Sequence, residues 1–268
     1  KTSMNGNIEV ILADGYYYQA ETISLNETHG GTNLYTVVFK AAEGAKPIIG
    51  GGIQIAGRDF AEIENGIYVA DVPSGTSTRQ LFVDNVRATR ARSEGVLTNA
   101  EFLYDSNGAN IGLVCDDNEL LEFANPDDLE FVYSHLWIQS RVGVKNITEG
   151  DDGRVQLIMD ELGWKYTQTP AGNEILTFTI DKIEYYDDAL ERLDEPGEWY
   201  LDEEKSKRYY KPRVWEDMKT VTMTVPVLDC WDEDETGVSG LLTVAGTDYD
   251  HMVQNIRFEN ITFADATW

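Results

Sequence analysis

The stretch Leu241–Trp268, LLTVAGTDYDHMVQNIRFENITFADATW, decides the fold. Val253, Ile256, Phe258, Ile261 and Phe263 recur at short, uneven intervals, with Asn255, Asn260 and Thr262 between them. A half-buried strand alternates with period two, and an amphipathic helix puts apolar residues at i, i+3, i+4 and i+7. Neither template fits. A chain of very short strands does, turning at asparagine and laying each strand on its predecessor. That is the texture of a solenoid, and of a parallel β-helix in particular.

The opening of the chain reads in the same way. Ile8–Leu12 (IEVIL) is a short apolar strand ending in the turn signal Ala13-Asp14-Gly15. Thr22–Leu25, Tyr35–Ala41 and Pro47–Ile49 are further strands, followed by Gly50-Gly51-Gly52 and Ile53-Gln54-Ile55. The glycine run suits sharp corners that need positive φ. A phosphate-cradling loop would require G-x-G-x-x-G leading into a helix, and nothing helical follows.

From about Gly66 the strands lengthen: Ile67–Val72, Arg79–Val83, Val86–Ala91, Leu129–Tyr133, Val155–Met159, Ile175–Ile180, Trp199–Leu201, Arg208–Tyr210 and Val221–Val225. Asn65-Gly66, Asp84-Asn85, Asp152-Gly153 and Pro196-Gly197 punctuate them, so neighbouring strands pair as hairpins. One short helix is expected, around Tyr185–Leu193. The expected organisation is first β-helix coils over 1–60, an inserted antiparallel β-domain over 61–236, and a return to coils over 237–268.

Several of these stretches resemble a known family. V-x-N-I-x-F-x-N-I-T-F looks like the coil motif of right-handed parallel β-helix carbohydrate-active enzymes. Arg79–Arg92 (RQLFVDNVRATRAR) resembles a hairpin of β-helix glycoside hydrolases that carry an inserted domain, with Asp84-Asn85 where that family more often has Asn-Gly. Gly197–Pro212 (GEWYLDEEKSKRYYKP) resembles a second such hairpin. The resemblance implies an all-β protein of pectin lyase-like fold. Its right-handed parallel β-helix would be incomplete at the C-terminus and interrupted by an antiparallel β-barrel or sandwich. It also implies a bacterial, secreted or cell-surface glycoside hydrolase whose catalytic acids lie beyond this segment. The remaining C-terminal part of the same β-helix would then be its partner.

Composition bounds the function. The net charge is −27, from 48 acidic and 21 basic residues in 268. Such a surface repels phosphate backbones and anionic lipid, which argues against nucleic-acid and membrane-surface roles. A neutral oligo- or polysaccharide fits better than a polyanionic one. No apolar run approaches the roughly 18 residues of a membrane span, and no signal peptide is read at Lys1-Thr2-Ser3. Cys115 and Cys230 have no metal-ligand spacing and read either as one disulfide or as two free thiols. No cofactor is expected. Calcium is the one ion to consider, at Asp232-Glu233-Asp234-Glu235, which lacks the spacing of a calcium loop.

Glycoside hydrolysis needs two carboxyl groups, one to protonate the leaving oxygen and one to attack or to activate water. Asp248, Asp250 and Asp265 are the catalytic candidates, because they lie in the terminal coils; Asp is equally at home in turns for local reasons. Trp268, Trp137, Arg141 and His251 are the candidates for binding substrate, since sugar faces stack on aromatic rings and arginine donates paired hydrogen bonds. In LWIQSRVGV, Trp137, Gln139 and Arg141 alternate and should share one face of a strand. Arg87, Arg90 and Arg92 are expected to satisfy nearby acids. Two rival functions remain open: a non-catalytic carbohydrate-binding or structural module, and a lyase of the pectate-lyase type. Solenoids host several chemistries.

Overall fold

A computed structural model describes residues 3–135, 137–168, 178–228 and 240–267. They form an all-β protein with a single short α-helix among the described residues. The expected parallel β-helix has to be corrected. Parallel pairing is confined to small sheets of two or three strands and to one pair in the five-stranded sheet, while the four- and six-stranded sheets are antiparallel. Stacked repeats need several neighbours to bury their faces. Here the outer strand Ile8–Leu12 leaves Ile8, Val10 and Ile11 exposed, and no solenoid forms among the described residues. The chain divides into two compact units.

The first unit comprises Lys1–Asp59, Gly75–Ala88 and Asp217–Trp268. Val37–Ala41 lies between Ile8–Leu12 and Ile256–Glu259, all parallel. Ile48–Gly50 lies between Tyr16–Tyr18 and Thr262–Ala264, again parallel. Leu242–Val244 pairs with Ile23–Leu25. Register brings Phe258 opposite Phe39, and their rings stack with centroids 5.3 Å apart. Between the short strands the backbone turns left-handed at Asn255, Asn260 and Asp265, with φ of 55°, 56° and 60°. Asn and Asp tolerate that conformation better than other side chains. An antiparallel sheet completes the unit, in the order Val86–Arg87, Phe82–Val83, Thr222–Pro226, Gly52–Ala56. It buries Val83, Met223 and Val225.

The second unit comprises Phe60–Ser74 and Thr89–Glu216. Its six-stranded sheet runs Glu101–Tyr104, Asn110–Cys115, Val155–Met159, Ile138–Glu149, Glu130–His135, Ile183–Asp187. The alternation of VQLIM explains its packing: Val155, Leu157 and Met159 are buried, and Gln156 and Ile158 only partly. These residues join Leu113, Leu120, Leu129, Phe131 and Trp164 in one core. A second sheet contains Glu198–Asp202 and Lys207–Tyr210, the hairpin expected from GEWYLDEEKSKRYYKP.

Two local expectations in this unit need correcting. The helix is not at Tyr185–Leu193, which instead supplies the edge strand Ile183–Asp187 and a 3-10 turn at Leu190–Arg192. Asp188, at φ 67°, stands between them and breaks helical continuity. The helix is Glu161–Gln168. Asp160 caps it, its carboxylate accepting from the Leu162 and Gly163 amides at 2.9 and 3.3 Å. Of the expected strand Ile175–Ile180, residues 175–177 lie outside the described residues, and Ile180–Lys182 is a 3-10 turn. No helix among the described residues is long and apolar enough to cross a membrane.

Candidate functional site

The turn that follows Thr262–Ala264 presents Asp265 to the first unit's interior. Its carboxyl accepts a hydrogen bond from the Tyr16 hydroxyl at 3.0 Å. That hydroxyl also approaches the Gly52 carbonyl and amide, at 3.0 and 3.2 Å. The glycines make this approach feasible. A Cβ on Gly50 would lie 2.2 Å from the Tyr16 hydroxyl oxygen, and one on Gly52 would lie 3.1 Å from the Asp265 Cβ. Burial raises the Asp265 carboxyl above its ordinary range, and the Tyr16 hydrogen bond only partly offsets this. The Tyr16 phenol is itself pushed up, by burial first and by the adjacent carboxylate second. A half-buried carboxyl that retains its proton can act as a general acid.

The other two catalytic candidates are in a different situation. Asp248 accepts from the Asp250 and His251 amides, each at 2.9 Å, and its carboxylate lies 2.7 Å from His251 Nδ1. These contacts, led by His251, lower its pKa. The loop is exposed, and such contacts make an ordinary aspartate turn. Asp250 contributes its backbone amide to that turn.

Trp137 and Arg141, two of the substrate-binding candidates, have different surroundings. Trp137 is 80% exposed and sits in the turn of the hairpin, outside the strand that carries Gln139 and Arg141. The three do not alternate on one strand face, because the strand begins only at Ile138. Arg141 donates to Asp187 at 2.5 Å and lies 3.8 Å from Glu130. Arg90 donates to Glu130 at 2.5 Å and to Asp188. Two guanidiniums and three carboxyls thus form one largely buried cluster in the second unit; that Arg90 satisfies acids was expected, whereas its partners, 40 and 98 positions away, could not be named from spacing. Burial raises Asp188 to about 6 against the pull of Arg90. Arg208, in the neighbouring sheet, is fully buried over the Trp199 ring at 4.5 Å, and burial lowers it to about 9.

Trp268, Cys230 and the acidic run 232–235 lie outside the described residues. Among the described residues no group of three or more His, Cys, Asp or Glu could hold a metal ion. Tyr16 was missed as a site residue because its partner is 249 positions away. The only signal was its place directly after the Asp14-Gly15 turn.

Residues 65–213 match the family model described as "GH141 insertion domain". No curated protein matches the chain. A solved structure described as "Glycoside hydrolase" aligns with a TM-score of 0.77 at 25% identity, over 98% of this chain and 44% of that one. The chain therefore spans less than half the length of that protein. A second, described as "The complex structure of XylC with xylose", aligns over 89% of this chain and 29% of the other at 17% identity, with a TM-score of 0.29 that carries no argument.

Proposed function

The chain belongs to the GH141 insertion-domain family, and from that premise we propose that it is part of a glycoside hydrolase acting on a neutral glycan through two carboxyl groups. The observation that carries this reading is the likeness to a glycoside hydrolase over 98% of the chain. The net charge of −27 supports a neutral rather than a polyanionic glycan. Of the three candidate acids, Asp265 has the surroundings that suit a proton donor: it is half-buried, raised by desolvation, and oriented by one phenol. The second carboxyl, which would attack the anomeric carbon or activate water, is assigned to residues outside those described.

The test is turnover of aryl glycosides of xylose, galactose, fucose and glucose, in both anomers. It is run on this chain and on a chain extended to the length of the similar glycoside hydrolase. Turnover by the extended chain is expected, with Asp265→Asn reducing it by about 100-fold or more, the ordinary share of a general acid. Silence in both proteins with glycan binding retained would favour a non-catalytic binding module. Products carrying a new double bond would favour a lyase.

A further inference from the structure

Within the second unit, Ser93–Leu97 form one wall of a cavity of about 230 Å³, whose other walls include Asp117, Glu119, Tyr186, Arg192 and Asp194. Arg192 is held rigidly. Its Nε and Nη2 donate to the Tyr186 hydroxyl at 2.9 and 2.6 Å, and Nη2 also donates to Glu119. The guanidinium lies over the Phe123 and Tyr186 rings, 5.5 Å from each centroid. Arg192 lines the cavity, and among the described residues its Nη1 makes no hydrogen bond. Acceptors are in excess. Glu94 and Asp194 line the cavity with neither an ion pair nor a side-chain hydrogen bond among the described residues. Asp117, by contrast, is engaged by Thr98, accepting from its amide at 2.7 Å and its hydroxyl at 2.8 Å. Val96, 57% exposed, supplies an apolar edge.

We propose that this cavity is a glycan-binding subsite of the insertion domain, accepting one neutral sugar ring. Its volume is below the roughly 300–1,000 Å³ of drug-sized ligand sites, which limits the guest to about one ring. Adjacent sugar hydroxyls donate to Glu94 and Asp194, and one sugar oxygen accepts from Arg192 Nη1. Four carboxylates against one guanidinium repel uronates and phosphates. The choice of a sugar rests on the glycoside hydrolase reading above.

The experiment is calorimetric and NMR binding of neutral xylo-, gluco- and galacto-oligosaccharides to this chain. Oligogalacturonate and spermidine serve as charged probes. Two variants are compared with the parent: Glu94→Ala/Asp194→Ala, which removes acceptors without touching the core, and Arg192→Lys. A neutral oligosaccharide is expected to shift resonances of Ser93–Leu97 and to bind at least about tenfold more weakly in the double variant at unchanged Tm. Equal affinity in the double variant, preference for oligogalacturonate or spermidine, or no saccharide binding at all would overturn the proposal. Aryl-glycoside turnover, measured in parallel, separates the two readings. Turnover without cavity binding removes the subsite alone; cavity binding without turnover removes the hydrolase alone.

Discussion

Asp265 and Asp188 are both held above the ordinary carboxyl range, for different reasons. At Asp265 burial acts almost alone, and the Tyr16 hydroxyl is the opposing influence. Tyr16→Phe should therefore raise Asp265 further. A general acid works only while protonated, so the alkaline loss of activity should move to higher pH. A carboxyl ¹³C titration and a pH–rate profile would read this, and an unmoved profile would separate Tyr16 from the acid. At Asp188 burial is again the first cause, within a cluster holding three carboxyls against two guanidiniums. Its folded-state pKa of about 6 exceeds the ordinary 3.8. The folded protein thus binds the proton more tightly, and stability falls as pH rises from about 4 to about 6. The stability of the parent relative to Asp188→Asn should drop across that window by on the order of 2–3 kcal/mol. Urea unfolding at pH 4 and pH 7 checks it; parallel curves would remove Asp188 as the source. Asp265 was legible by residue type and position in a turn, Arg141 by residue type alone. No spacing rule could assign Arg141 to Asp187, 46 positions away.

At the scale of elements, local chemistry was legible wherever a turn fixed its own strands. Asp84 and Asn85 both adopt positive φ, 46° and 64°, as a type I′ hairpin turn requires. Asp84 is further held by the Thr222 amide at 2.8 Å. Asn85→Gly leaves that contact in place and should stabilise the protein by about 0.5 kcal/mol, measured as a small rise in Tm. The helix Glu161–Gln168 was not legible. Gly163, Trp164, Tyr166 and Thr167 are poor helix formers, and the helix exists because Asp160 caps it and Trp164 is buried against the sheet. The indole N–H donates to Asn110 at 3.1 Å, another partner that sequence spacing could not reveal. Leu157→Ala opens a void in the centre of this core and should cost about 2–5 kcal/mol, read by chemical denaturation.

At the scale of the whole molecule, the terminal coil motif described strands and turns faithfully but overstated what they build. The strands Ile256–Glu259 and Thr262–Ala264 do add in parallel to Val37–Ala41 and Ile48–Gly50, yet each of those sheets stops at three strands. A short repeat specifies the strand and its corner; the number of neighbours depends on contacts far along the chain. Each of the two units contains its own buried residues, such as Met223 in the first and Leu157 in the second, which is the condition for separate cooperative transitions. Calorimetry should resolve two, with Leu157→Ala lowering one and Met223→Ala the other. A single transition shifted equally by both variants would make the two units one cooperative body.

Cys115 gives this chain a built-in clock. Its thiol is free, fully buried, and pushed up to about 12 by its apolar surroundings. Only a thiolate reacts with alkylating or disulfide reagents, so at neutral pH modification must wait for the insert's core to open. In a Cys230→Ser background, the rate of labelling therefore counts openings of that one core. Any saccharide that lodges in the insert should slow the clock in proportion to its occupancy.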